Sequence, residues 1–390
     1  MRAVRLGKPQ RLAEFPARIP ADGHLPRIRL SPVPARLRAI GWPHAGEPGE
    51  AWAERMAAHP SARPARVVEQ HRSGYVVAQG PDEGIAVESL PEWQRPKCPP
   101  DARAAVGDWV LVEDGRIVAL LPRHGVIKRA SAGEHYGQQL IAANVDTVFV
   151  VCGLDADFNP RRIERYLLLV QGGGARPVVV LTKADQAGGR AAETRDALAE
   201  RLGGGVPVLA LDARDPAGAD ALRPWLGPGS TAVLVGSSGA GKSTLTNALL
   251  GVERMKTGAV RERDARGRHT TTHRALIALP SGGCLIDTPG MRELKPTGEE
   301  DLAGGGFADI EALAAECRFN DCRHGSEPGC AVRAAIADGR LDAGRLANYR
   351  KLSEEVAGAA QVLAARQAAG RPQPPGRRPP PRPGGRPGRR

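Results

Sequence analysis

Two kinds of hydrophobic pattern divide the chain. From residue 65 to about 130, apolar and polar positions alternate in short segments. Residues 66–70, 74–79 and 84–89 read as strands. Residues 108–113 (DWVLVE) and 116–121 (RIVALL) read as two more, joined by Asp114-Gly115, a strong hairpin signal. Five short strands at 65–130 predict a small closed barrel. An OB-fold fits, and an SH3-like barrel would give much the same pattern.

From 141 to 292 the pattern is α/β. Residues 145–152 (VDTVFVVC), 177–182 (PVVVLT), 207–211 and 231–235 (TAVLV) are apolar runs of buried-strand type. Residues 160–170 carry Ile163, Tyr166, Leu167 and Val170 at helical spacing, and 191–202 and 245–250 also read as helical. Alternating strands and helices predict one domain with a parallel sheet covered on both faces. Residues 331–337 and 343–366 read as helices of a further domain at 293–366. The stretch 1–64 reads as a leader, partly disordered, with short helices at 34–42 and 51–58 that suggest no chemical role. The tail at 367–390, nearly all Arg, Pro and Gly, is expected to be disordered.

The chemistry starts where the TAVLV strand ends. Gly236, Ser237, Ser238, Gly239, Ala240, Gly241, Lys242, Ser243 and Thr244 spell GSSGAGKST, the G-x-x-x-x-G-K-[ST] phosphate loop between a strand and a helix. Glycines let backbone N–H groups curl around a polyphosphate, and the helix N-terminus adds its positive end. Lys242 can reach the β- and γ-phosphates, and the Ser243 hydroxyl can ligate Mg²⁺. Thr182, Lys183, Ala184 and Asp185 follow the PVVVLT strand as T-K-x-D, a variant of the guanine-reading N/T-K-x-D loop. An Asp carboxylate there accepts from guanine N1–H and the 2-amino group, a donor pair that adenine lacks.

The order of these loops is unusual: the base loop precedes the phosphate loop by about fifty residues. A sheet does not record chain order, and a chain can be permuted if its original termini lie close together. Two later segments complete the set. GRHTTT (267–272) is switch-like, with Thr271 available to Mg²⁺ and the γ-phosphate. CLIDTPG (284–290) is an apolar strand ending in Asp287, placed to hold a Mg²⁺-bound water, with the Gly290 N–H available to the γ-phosphate.

Downstream, Cys317, Cys322, His324 and Cys330 supply a four-ligand tetrahedral set for Zn²⁺, of the closed structural kind. Cys98, Cys152 and Cys284 are isolated, and the latter two, on expected strands, read as inert core thiols.

Composition changes this picture little. No run of eighteen apolar residues occurs, so no membrane span is expected, and the N-terminus lacks the apolar core of a signal peptide, which argues for the cytoplasm. Net charge is +12, but seven arginines lie in the last twenty residues, so the remainder carries +5. A basic chain is a candidate for nucleic-acid binding, although coding composition alone can produce this bias.

The order T-K-A-D, GSSGAGKST, GRHTTT, DTPG, with VGDWV (106–110), LPR (121–123) and AANVD (142–146), resembles the ribosome-small-subunit-dependent GTPase A family, the circularly permuted GTPases. The likeness runs from about 65 to about 352. It implies an OB-fold barrel, a permuted GTPase domain and a C-terminal α-helical zinc domain with Cys3His ligation, a monomer that binds GTP/GDP with Mg²⁺ and acts on the small ribosomal subunit and its rRNA late in maturation. One departure is Asp212-Ala213, where the family often has Ser-Ala, which leaves the role of Asp212 open. Many GTPases orient the attacking water with a Gln directly after D-x-x-G; Met291 stands there and cannot. His269, beside the switch threonines, is the in-chain candidate for that task, or else positions the switch or touches rRNA. Two other readings compete: an ATP-dependent P-loop enzyme with barrel and zinc modules for its substrate, and an rRNA-binding module in which nucleotide only locks the conformation.

Overall fold

Strict alternation of two buried faces builds the central sheet. The computed structural model describes residues 35–71, 74–95, 98–99, 102–130, 138–252, 274–287 and 295–370. Two short helices, α1 (Ala35–Arg38) and α2 (Glu50–Ala57), come first. Strands β1 (Arg63–Gln70), β2 (Tyr75–Ala78), β3 (Ile85–Val87), β4 (Trp109–Glu113) and β5 (Arg116–Leu120) follow, and then a hairpin of β6 (Val126–Ala130) and β7 (Gln138–Ala143). The α/β part runs β8 (Thr147–Gly153), α3 (Pro160–Gln171), β9 (Arg176–Thr182), α4 (Ala191–Arg201), β10 (Val208–Ala210), α5 (Pro216–Asp220), β11 (Thr231–Val235), α6 (Lys242–Leu250), β12 (Ala275–Ala278) and β13 (Cys284–Asp287). Three helices close the described chain: α7 (Ala308–Ala315), α8 (Ala331–Ala337) and α9 (Ala343–Gly370).

In the α/β sheet the order is β10-β9-β8-β11-β13-β12, and all pairs are parallel except β12 with β13. Val148, Val150, Leu181, Val233 and Val235 face one layer with Ile163, Leu167 and Leu198 of α3 and α4. Phe149, Val151, Val180 and Leu234 face the other, with Leu222, Leu245 and Leu250. The covered parallel sheet is as expected; the antiparallel strand β12 is an addition. It shows only as four residues of weak pattern, between the 253–273 segment and a tight turn.

The N-terminal strands pair in the order β5-β4-β1-β2-β3. A parallel bridge between Glu88 and Arg116 brings the end of β3 back to β5 and closes the ring. This is the barrel the alternation predicts, around Val67, Tyr75, Val77, Trp93, Val110 and Ile117. Its β1 also pairs with β12 at Glu69 and Ala275, so barrel and α/β sheet are continuous. The hairpin β6–β7 escaped the sequence reading, because half of β7 lies in a polar stretch between the two expected domains.

Residues 35–62 have a packing role that the sequence did not suggest. Trp42 and Trp52 are buried against Trp109 of the barrel, with Trp42 and Trp109 ring centroids 4.8 Å apart. Behind them Arg66, fully buried, donates to the carbonyls of Ile40 (2.6 Å), Gly107 (3.1 Å) and Asn144 (3.2 Å). Asn144 in turn donates to the Gly107 carbonyl and accepts from the His124 amide. Asp108, also fully buried, accepts a two-point contact from Arg123. The three short motifs VGDWV, LPR and AANVD are therefore one joint, at which the chain leaves the barrel and enters β8.

The C-terminal helices have their own core of Phe307, Ile310, Val332, Ala335, Leu346 and Leu352, completed by Leu168 of α3. Gly305 makes that docking possible: a Cβ there would lie 2.4 Å from Leu168 Cδ1 and 3.0 Å from its Cα.

Replacing Arg66 by Met strands the carbonyls of Ile40 and Asn144 and leaves that of Gly107 to Asn144 alone, three lost bonds worth about 1 kcal/mol or more each. Urea unfolding followed by tryptophan fluorescence, which the Trp42–Trp52–Trp109 cluster dominates at this joint, should show a loss of about 3 kcal/mol. An unchanged midpoint would remove Arg66 from this structural role.

Candidate nucleotide site and Cys/His cluster

The chain runs from β8 outward to β9 and β10 on one side of the sheet, and from β11 to β13 on the other. The direction reverses between β8 and β11, and ligands of parallel α/β sheets bind outside the carboxyl ends of the strands at such a reversal. The loops after β8, β9 and β11 and the end of β13 all lie there. Three of them carry the base loop, the phosphate loop and Asp287; the fourth, after β8, carries acids that the motif search passed over.

The phosphate loop turns directly into α6, with Gly241 as N-cap at φ +90°. A Cβ at Gly241 would be strained at that angle and would lie 3.1 Å from Thr182 Oγ1. Lys242 folds over the loop, its Nζ donating to the carbonyl of Gly236 at 2.8 Å and to that of Ser237. Backbone amides, a helix N-terminus and an ammonium group thus converge on one anion site. Ser243 and Thr244, half-buried, lie in the first turn of α6, and Asp287 ends β13; a helix start and a strand end frame the same crevice.

Thr182 is fully buried, and its hydroxyl donates to the Ala240 carbonyl at 2.7 Å. It is a strut between base loop and phosphate loop. Lys183 sits in the left-handed region at φ +59°, and its ammonium group pairs with Asp155 in the loop after β8. Ala184 donates its amide to the Leu211 carbonyl, which docks the base loop on the segment after β10. Asp185 projects from a short turn, about a third exposed, and its carboxylate accepts from Arg214. Asp212, two residues before Arg214, accepts from the Arg214 amide at 2.9 Å and from its Nε at 3.3 Å. The Arg214 amide, with its guanidinium, holds the Asp212 carboxyl below the usual carboxylate range.

The loop after β8 adds a second strut. Asp157 accepts from the Ser237 hydroxyl and from Arg162 Nη1, the latter at 2.6 Å. Arg162 lies in the first turn of α3, whose N-cap is Asn159 with Pro160 next. Motif matching missed Asp155, Asp157, Arg162 and Arg214. The strand-end rule that elevated T-K-A-D points equally to residues 153–158 after VDTVFVVC. His269, Thr271, Gly290 and Met291 lie outside the described residues.

The second cluster is compact. Cys317, Cys322, His324 and Cys330 present ligand atoms all within 4.8 Å of one another. His324 Nδ1 lies 3.6 Å from Cys317 Sγ and 3.5 Å from Cys330 Sγ, and the two sulfurs are 3.9 Å apart. Donors around a tetrahedral Zn²⁺ sit about 3.5–3.8 Å apart, given bonds near 2.0–2.3 Å, so the set fits that metal. His324 reaches it from a left-handed backbone at φ +57°. Cys330 also caps α8, its sulfur accepting from the Arg333 amide. Away from this cluster, burial pushes the Cys284 thiol up to about 11 and raises that of Cys152. Neither is a nucleophile at neutral pH, which matches their reading as core thiols.

A base loop before the phosphate loop in chain order, on one crevice of one sheet, with a barrel ahead and a Cys3His helical unit behind, defines a circularly permuted P-loop GTPase. Its lineage follows from comparison with known proteins. The sequence profile of the RsgA GTPase family matches residues 120–297. The protein called small ribosomal subunit biogenesis GTPase RsgA in Xanthomonas axonopodis pv. citri (strain 306) is 70% identical over 340 residues, covering 87% of this chain and 93% of that one. Its namesake in Xanthomonas campestris pv. campestris (strain B100) is 69% identical over the same span. The crystal structure of YjeQ from Thermotoga maritima aligns at a TM-score of 0.56 and 25% identity, covering 76% of this chain and 99% of that one. That of YloQ, described as a circularly permuted GTPase, aligns at 0.54 and 23%, over 76% and 96%. The chain belongs to the RsgA GTPase family.

Thr182→Val keeps shape and burial but removes the strut and leaves the Ala240 carbonyl unpaired. GTP and GDP affinities should fall together by about fivefold, and stability by about 1–2 kcal/mol. Titration with fluorescent nucleotides checks this; undiminished affinity would deny the strut a role in binding.

Proposed function

We propose that this protein is a GTP hydrolase that acts late in maturation of the small ribosomal subunit, contacts rRNA through its barrel and Cys/His domains, and is released when GTP is hydrolysed. The observation that carries this reading is the convergence of Thr182–Asp185, the phosphate loop and Asp287 on one crevice, in a chain 70% identical to proteins named for small-subunit biogenesis. In this reading Asp185 selects guanine, Lys242 binds the β- and γ-phosphates, and Ser243 with Thr271 ligates Mg²⁺. Asp287 holds a Mg²⁺-bound water, Gly290 bonds the γ-phosphate, and His269 orients the attacking water. The unit boundaries follow the sequence pattern: barrel at 65–130, GTPase domain at 141–292, zinc domain at 293–366. The protein works as a cytoplasmic monomer; no helix among the described residues is long and apolar enough to cross a membrane.

A route for the output runs along α3. Its first turn reaches the phosphate loop through Arg162, Asp157 and Ser237. Two residues on, Glu164, 1% exposed, accepts from Arg201 of α4 and from Arg345 and Asn348 of α9. Arg345, itself 2% exposed, also holds Asp309 and the Gly306 carbonyl. Breaking a buried charge network of this kind is costly, so α3 and the C-terminal domain move as one. Loss of the γ-phosphate at Lys242 and Ser243 is then felt as a shift of the C-terminal domain.

GTP hydrolysis measured with and without purified small subunits tests the function. Slow turnover alone and at least tenfold stimulation by subunits are expected, and His269→Ala should abolish the stimulation while GTP still binds. Equal rates with and without subunits would sink the reading.

The Cys3His set is proposed to hold one structural Zn²⁺ per chain. Elemental analysis of purified protein should return one zinc, and Cys330→Ser should lose it and unfold the 303–352 region, seen as raised hydrogen exchange there. A metal-free but fully protected wild type would contradict it.

A further inference from the structure

The base-reading carboxylate is not idle in this structure. Arg214 Nη2 donates to Asp185 Oδ2. The donor is chemically close to the ligand: guanine presents N1–H and the 2-amino group around one carbon, and a guanidinium presents the same N–C–N donor unit. Arg214 is also aimed. Asp212 fixes its backbone amide at 2.9 Å and its Nε at 3.3 Å, so the fork projects toward Asp185. Its side chain is 63% exposed and makes its polar contacts with Asp212 and Asp185, so it is free to swing aside. The departure at position 212 thereby gains a meaning, since a carboxylate there orients an arginine more strongly than a hydroxyl would.

We infer that Arg214 is a built-in competitor of guanine for Asp185, which lowers the affinity for guanine nucleotides by slowing their binding and opposing the rebinding of released GDP. This rests on the reading of Asp185 as the guanine acceptor. Guanine can settle on Asp185 only after Arg214 has left it, so each binding event exchanges an ion pair for two hydrogen bonds. Dissociation runs the exchange backwards: as the base lifts, Arg214 recaptures the carboxylate and opposes rebinding. The contact is solvent-exposed and ionic, which sets its size at a few-fold and makes it sensitive to salt. GTP and GDP carry the same base, so both lose equally, and selectivity for the γ-phosphate is left to the phosphate loop.

The test is stopped-flow binding and displacement of methylanthraniloyl-GDP and methylanthraniloyl-GTP with the full chain. Arg214→Ala and Arg214→Gln should bind both nucleotides about threefold more tightly, mostly through faster association. In about 1 M salt, where screening is nearly complete, wild type and variants should converge. In an Asp185→Asn background, where there is no carboxylate to contest, Arg214→Ala should change nothing. Asp212→Ser should fall between wild type and Arg214→Ala. Weaker binding by the Arg214 variants would overturn the proposal, because Arg214 would then support the bound base. Unchanged binding would overturn it as well, and so would tightening that persists in the Asp185→Asn background. If the wild-type protein binds no GTP, the guanine reading itself fails, and that outcome is distinct from all of these.

Discussion

The structure turns on one buried cation with no carboxylate of its own. Arg66 satisfies its guanidinium on three backbone carbonyls and lies over the face of Trp109, its Cζ 5.4 Å from the ring centroid. Burial pulls its pKa down, and the nearby Cys284, Asp146 and Asp108 work against that. A fully buried arginine is tolerable only when its donors are met. The three carbonyls come from the segment before the barrel, from the barrel and from the entry to β8. None of these can move without stranding the charge, so the joint fixes where the permuted domain begins.

That location has a consequence for signalling. The joint lies just before β8, and the nucleotide crevice lies just after it. A seven-residue strand separates them, about 23 Å at the usual rise. The joint end of the barrel therefore lies away from the nucleotide, while the far end of β1 reaches the crevice side of the sheet, where Glu69 pairs with Ala275 and Ala275 with Asp287. The C-terminal domain is placed quite differently. It shares α3 with the crevice itself, through Arg162 at one end and Glu164 and Leu168 further along. A change at the phosphates thus has two ways out: to the C-terminal domain along α3, and to the barrel across β12 from Asp287.

What the sequence made legible was local, and what it hid was long-range. The phosphate loop, T-K-A-D, the Cys/His set and the period-two strands each fit within a dozen or so residues, where spacing alone carries the geometry. Arg66 is one arginine among many until Ile40, Gly107 and Asn144 come together around it. The role of residues 35–62 was hidden for the same reason: Trp42 and Trp52 find their partner Trp109 more than fifty positions away. Asp155 and Asp157 have no motif spacing, and only the strand-end rule applied to β8 would have raised them. Resemblance had grouped VGDWV, LPR and AANVD without a reason; the Asp108–Arg123 pair and the Asn144 bonds supply it.

Thr182 shows how a motif's letter and its duty can separate. Where N/T-K-x-D begins with Asn, an amide stands at this place; here a shorter hydroxyl does. The position is fully buried, Gly241 passes close by, and the hydroxyl makes its short bond to the Ala240 carbonyl, with the Cys152 carbonyl further off at 3.4 Å. A single donor on a β-branched stem, which also suits the end of a strand, suffices for this. The base loop and phosphate loop are thereby tied into one rigid body, and Asp157 with Ser237 ties the loop after β8 to it. Such a body cannot itself be the switch. Arg214, at the base end of its rim, meets the same base in GTP and in GDP, so the difference between nucleotide states has to enter at the phosphate end, where β13 ends in Asp287.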